Sequence, residues 1–169
     1  MKKTEPYIVE SARAFGIDPS TLESLGDGNS QADVLIGKSP SGPKVLKILP
    51  AAMVRVCGGA ESILEGFAYQ EGLAERLTGD VAFAGPLRST NDRIGVEIET
   101  DGGIRVAMLS NVAKGKEVER RSDGYQIPIS NPEIGGLLYE RIGRALGMMH
   151  RFSSEYPVWW PAGAADLPY

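Results

Sequence analysis

Lys44-Val45-Leu46-Lys47-Ile48-Leu49 is the stretch on which the reading of this 169-residue chain turns. Its apolar residues, bounded upstream by the turn-forming run Ser39-Pro40-Ser41-Gly42-Pro43, predict a short strand. Alternation along a strand lets Lys47, set among apolar neighbours, point into a cleft rather than into bulk water. Working outward, Thr21–Leu25 and Ala32–Ile36 read as two further antiparallel strands. Between them lies Leu25-Gly26-Asp27-Gly28-Asn29-Ser30, a run of turn residues.

On the other side, Ala60–Leu77 carries the 3.6-residue period of a helix. With residues placed about 100° apart around Phe67, the apolar face holds Ile63, Leu64, Ala74 and, at its margin, Leu77. Glu71 falls on that face and Glu65 almost opposite it. A carboxylate on a core-facing stripe is costly unless it is paired, so Glu71 requires a cation, and Lys47 is the expected partner.

Val81–Ser89 continues as an extended segment around Pro86. Arg93–Glu99 alternates apolar and polar residues, turns at Asp101-Gly102-Gly103 and returns as Ile104–Leu109, a hairpin pattern. Together these segments predict an α+β fold, a five-stranded antiparallel sheet with one packed helix. Ile8, Ala12 and Phe15 predict a short amphipathic helix over Pro6–Phe15, stopped by Gly16.

Ser110–Gly124 is polar and aperiodic, a linker by composition, and its Lys114–Arg121 charge run reads as a solvated loop. Ser130 and Glu133 have capping-box spacing around Pro132 and open a helix with Ile134, Leu138, Ile142, Ala145 and Met149 in register, up to His150. Gly135, Gly136, Gly143 and Gly147 weaken that helix by propensity and predict close packing against another element. The tail, Tyr156-Pro157-Val158-Trp159-Trp160-Pro161, is aromatic and proline-rich. The chain thus divides into 1–109; a linker over 110–129; and 130–169, a helix and tail that look like a chain cut before a second lobe is built.

Composition narrows the function. With 18 Lys+Arg against 22 Asp+Glu, the chain has no basic field for nucleic acid or an anionic membrane. One cysteine, Cys57, and one histidine, His150, supply neither an internal disulfide nor a metal-ligand cluster. Cys57 has no nearby histidine to activate it. Met148 and Met149 read as packing residues and His150 as a helix-end residue near the terminal carbonyls. No run approaches the roughly 20 apolar residues of a membrane span, and Thr4-Glu5-Pro6 stands where a signal peptide needs its apolar core. A soluble protein of the reducing cytoplasm is expected.

In this order, the elements resemble the amino-terminal lobe of the aminoglycoside phosphotransferase and choline kinase-like family. Three stretches carry the resemblance: Leu25–Ser30 with Val45-Leu46-Lys47-Ile48; Tyr69–Leu77 leading into Gly85-Pro86-Leu87-Arg88-Ser89; and Ser130–Glu133 through Ile142–Arg151. The resemblance implies that Gly26, Asp27, Gly28, Asn29 and Ser30 lie over the phosphates of ATP. Lys47 would meet the α and β phosphates and Glu71 would hold Lys47. The backbone of Ser110, Asn111 and Val112 would meet the adenine edge. ATP with Mg²⁺ would be the donor and a hydroxyl of a small molecule or protein the acceptor, whose identity the sequence does not give. Such a division suits phosphoryl transfer, which needs positioning and charge neutralisation more than covalent help.

The family's His-Gly-Asp-like catalytic loop and its later metal-binding aspartate are not matched here. His150 is followed by Arg151-Phe152-Ser153, and Asp166 lies in Asp166-Leu167-Pro168. No catalytic residue and no metal ligand is therefore assigned, and the chain alone is not expected to transfer phosphate. Trp159 and Trp160 read as core residues of a missing lobe; an alternative from another class is a non-catalytic kinase-like module in which they dock a partner or a second copy. A third reading is an unrelated α+β domain in which Lys47 and Glu71 are coincidental; taken alone, Gly26 and Gly28 could simply make a hairpin turn.

Overall fold

A computed structural model describes residues 5–25, 31–76, 84–112 and 132–155. Its elements, in chain order, are α1 (Pro6–Ala14), a 3-10 turn (Pro19–Thr21), β1 (Glu23–Ser24), β2 (Asp33–Ser39), β3 (Gly42–Leu49), α2 (Ala51–Val56), α3 (Ala60–Arg76), β4 (Pro86–Leu87), β5 (Val96–Thr100), β6 (Gly103–Asn111) and α4 (Pro132–Glu155). The six strands form one antiparallel sheet in the order β1-β2-β3-β6-β4, with β5 also pairing β6. No described helix is long and apolar enough to cross a membrane.

The expected five-stranded sheet with one helix is thus present, with two additions. The extended segment around Pro86 contributes its own short strand beside β6. Helices also cover both faces of the sheet rather than one. On the outer face, Tyr7, Ile8, Ala12 and Phe15 of α1 pack with Leu22, Leu35, Leu46, Ile48, Ile98 and Leu109. On the inner face, Leu49 and Val106 pack with Val54 of α2 and with Ile63 and Phe67 of α3. These two faces follow from the period of two along β3: Leu46 and Ile48 point outward to α1, and Leu49 points inward.

α1 ends where glycine permits it to. Gly16 takes φ +66°, and Ile17 N–H returns to the carbonyl of Ala12. The six-residue α2 was not expected from the sequence, being too short for its period to register. Its signal was Pro50 at the start and Gly58-Gly59 at the end. Both glycines have positive φ, and Gly59 N–H bonds the carbonyl of Val54. Arg55 then ties α2 to the β5–β6 turn by donating to the carbonyl of Gly102 at 3.2 Å.

Phe67 is 5% exposed and Glu65 is exposed, as the angular placement requires. α3 comes close to the sheet at two glycines. A Cβ on Gly95 would stand 2.6 Å from Leu64 Cδ2 and 3.0 Å from Phe67 Cδ2. A Cβ on Gly85 would stand 2.5 Å from Ala74 Cβ. Both contacts are inside van der Waals range, so only glycine fits without movement.

Met148 and Met149 of α4 pack with Leu73 and Tyr69 of α3, a packing role as expected. Two expectations for α4 fail. Gly143 and Gly147 would meet nothing within 4 Å, so close packing does not explain them among the described residues. His150 is exposed and lies within the helix, because α4 continues to Glu155.

Candidate functional site

The inner face is built from alternate residues of three adjacent strands. Val45, Lys47 and Leu49 of β3 share it. The register sets Ile36 and Val34 of β2 opposite Val45 and Lys47, and Ser110, Met108 and Val106 of β6 opposite Val45, Lys47 and Leu49. α2 and α3 cover the end at Leu49 and Val106. At the other end Val34, Ile36, Val45 and Ser110 are only half-buried and join none of the packed apolar clusters. Lys47, also half-buried, stands at the border between the covered and open halves.

Among the described residues, Lys47 Nζ has no hydrogen-bond or ion-pair partner. An unneutralised ammonium beside a low-dielectric apolar surface is a position for an anion. Its neighbour Lys44 contrasts with it. Three residues away, Lys44 turns to the other face, is 9% exposed and donates to Asn111 Oδ1 at 2.8 Å.

Glu71 is half-buried on the sheet side of α3, as expected, but its partner is not Lys47. Arg88, just past β4, donates from Nε to Oε1 and from Nη2 to Oε2, both at 2.8 Å, in a two-pronged pair. The carboxylate raises the guanidinium's pKa further above its ordinary value. The remaining Arg88 nitrogen reaches the carbonyl of Asp92 at 2.9 Å. Position explains the correction: α3 packs over β6 and β4, whereas Lys47 lies on β3, about 4.8 Å further across the sheet. The signal available in the sequence was the cation within Gly85–Ser89, on the segment that comes next after α3.

Ser110 and Asn111 close β6 and Val112 follows it, 37% exposed. Ser110 lies between Val45 and Pro86, and Pro86 brings no N–H to that edge. Because Lys44 holds the Asn111 side chain on the outer face, Asn111 can offer the inner site only its backbone. Gly26, Asp27, Gly28, Asn29 and Ser30 lie outside the described residues. Their flanks are paired as a hairpin: Ser24 faces Leu35, and Leu25 N–H bonds the carbonyl of Val34 at 3.0 Å. Trp159 and Trp160, and residues 113–129 of the expected linker, also lie outside the described residues. The described residues contain no group of three His, Cys, Asp or Glu side chains that could hold a metal ion.

The fold that carries this face is similar to that of a solved structure. The chain superposes on the amicoumacin kinase hAmiN, in complex with AMP-PNP, Ca²⁺ and Ami, with a TM-score of 0.66. The fold is that of a kinase. The likeness covers 94% of this chain at 18% sequence identity, and this chain spans 43% of the length of that one. No family model matches the sequence, and no curated protein does. The sheet with helices on both faces is therefore a kinase-like lobe, with α4 following its last strand.

Proposed function

We propose that this chain carries the nucleotide-binding lobe of an ATP-dependent phosphotransferase. The observation that carries the reading is the placement of Lys47: half-buried, without a partner among the described residues, and flanked by Val34 and Met108 at the border between the covered and open halves of the inner face. In this reading the purine lies on Ile36 and Val45, its edge meets the backbone at Ser110–Val112, and the phosphates extend past Val34 to Lys47. By the family resemblance, Gly26–Ser30 would cover the phosphates; the flanking Leu25 bonds Val34.

Lys47 then serves the ligand directly, and Glu71 serves the lobe by holding α3 to β4 through Arg88. A divalent ion such as Mg²⁺ would arrive with the nucleotide; its role is to neutralise phosphate charge. The described residues offer it no cluster of ligands, so none is assigned. The residues that activate an acceptor hydroxyl are likewise not assigned to this chain, and binding rather than turnover is what it is expected to show. The kinase of similar fold was solved with AMP-PNP, which supports an adenine nucleotide as the ligand.

Isothermal titration of the full chain with AMP-PNP and Mg²⁺ tests the reading. Replacing Lys47 by Ala should weaken binding by about tenfold or more, the effect of losing a charge-assisted contact to phosphate. Equal affinity in wild type and Lys47→Ala, or no binding by the wild type, would refute it.

A further inference from the structure

We propose that Tyr7 of α1 and Arg105 of β6 are positioning residues for the phosphate end of the nucleotide site, acting through Asp33 from the opposite face of the sheet. The proposal rests on the nucleotide-binding reading above. Asp33 opens β2 and directly precedes Val34, whose register partner is Lys47. Asp33 itself pairs with Ile48 and points to the outer face. There Tyr7 Oη donates to Asp33 Oδ2 at 2.9 Å, and Arg105 Nη1 stands 3.5 Å from the same oxygen. The Arg105 guanidinium also lies over the Tyr7 ring, 4.1 Å from its centre.

Three elements distant in sequence thus converge on one carboxylate. Arg105 Nε is buried without a hydrogen-bond partner, which makes the carboxylate and the aromatic face its compensation for lost water. Burial and the bond to Asp33 push the Tyr7 hydroxyl up to about 12, so it remains a donor at every physiological pH. The other end of α1 is fastened too: Thr90 donates to the carbonyl of Ala14 from both N–H and Oγ1, at 2.9 and 3.0 Å. α1 is therefore fixed at both ends, and the Tyr7 end holds the start of β2.

Position along the ladder gives the proposal its selectivity. Ile36, Val45 and Ser110 form one rung at the adenine end, and Val34, Lys47 and Met108 form another two residues away, about 7 Å along the strand. Asp33 lies one residue further still. Loosening it should disturb contacts to phosphate and spare those to the base.

The test compares AMP-PNP with Mg²⁺ against adenosine, both titrated into the full chain as wild type, Tyr7→Phe and Asp33→Asn. Tyr7→Phe keeps the ring under Arg105 and removes one hydrogen bond. It should weaken AMP-PNP by about fivefold and leave adenosine within about twofold, with Asp33→Asn showing the same selectivity. Equal loss for both ligands, or no loss in either variant, overturns the positioning role while leaving the nucleotide-binding reading intact. A wild type that binds neither ligand overturns both.

Discussion

Gly95→Ala sets two opposite effects against each other, and the structure decides the sign. Gly95 does not have the positive φ that restricts a position to glycine. On backbone grounds alone, alanine would stabilise the fold by about 0.4–1 kcal/mol, because it restricts the unfolded chain. The space says otherwise. A Cβ would lie 2.6 Å from Leu64 Cδ2 and 3.0 and 3.2 Å from two atoms of the Phe67 ring. Leu64 is half-buried, and its methyl group can swing. Phe67 is 5% exposed and packs with Ile63, Leu49 and Val106, so its ring has nowhere to go. Overpacking of this kind costs about 1–3 kcal/mol, more than the backbone gain. Gly147→Ala is the internal control. It lies in α4 with nothing within 4 Å of the added methyl group, and should stabilise the helix by up to about 1 kcal/mol. Thermal or urea unfolding followed by circular dichroism measures both, each kcal/mol moving the midpoint by about 2–4 °C in a chain of this size. If Gly95→Ala unfolds at or above the wild-type midpoint, the close approach of α3 to the sheet is wrong.

Two further outcomes concern the polar pairs. Glu71→Gln and Arg88→Ala should each speed hydrogen exchange in the last turns of α3, and the double variant should exchange no faster than the worse single; additive effects would show that the pair does not act as a unit. Tyr7 has a folded-state pKa raised from 10.0 to about 12, so its contribution is complete below pH 10 and is lost as the pH climbs from 10 towards 12. Unfolding midpoints measured across that range should fall less steeply in Tyr7→Phe than in wild type, and parallel curves would deny Tyr7 this role.

How much of this was legible in the sequence differs by element. β3, α3 and the hairpin of β5 and β6 announced themselves because each repeats its period long enough to separate one face from the other. Their boundaries shifted by only a few residues: β3, expected over Lys44–Leu49, runs Gly42–Leu49. Short elements escaped or shrank for the converse reason. Six residues make less than two helical turns, which left α2 unseen, and of the strand expected over Thr21–Leu25 only Glu23–Ser24 pairs. The half-buried placement of Lys47 on the inner face was legible because a lysine among apolar strand residues demands an account. The need of Glu71 for a cation was legible too, but not which cation met it. That choice depends on which strand α3 crosses, a property of packing that no local pattern carries. The Tyr7, Asp33 and Arg105 cluster was missed for the same reason, its members being spread across α1, β2 and β6.

The contact between Lys44 and Asn111 bears on where the chain can bend once it leaves the sheet. By gripping Asn111 from the back, Lys44 turns the last residue of β6 into a clamped end rather than a free one. A beam held in a clamp bends beyond the jaws, and the pairing of Ser110 with both Val45 and Pro86 adds a second grip one residue inside. Any swing of the chain toward α4 should therefore begin after Asn111. Ser110 and Asn111 are held to β3, the strand that carries Lys47, so two ends of the proposed nucleotide site keep their spacing.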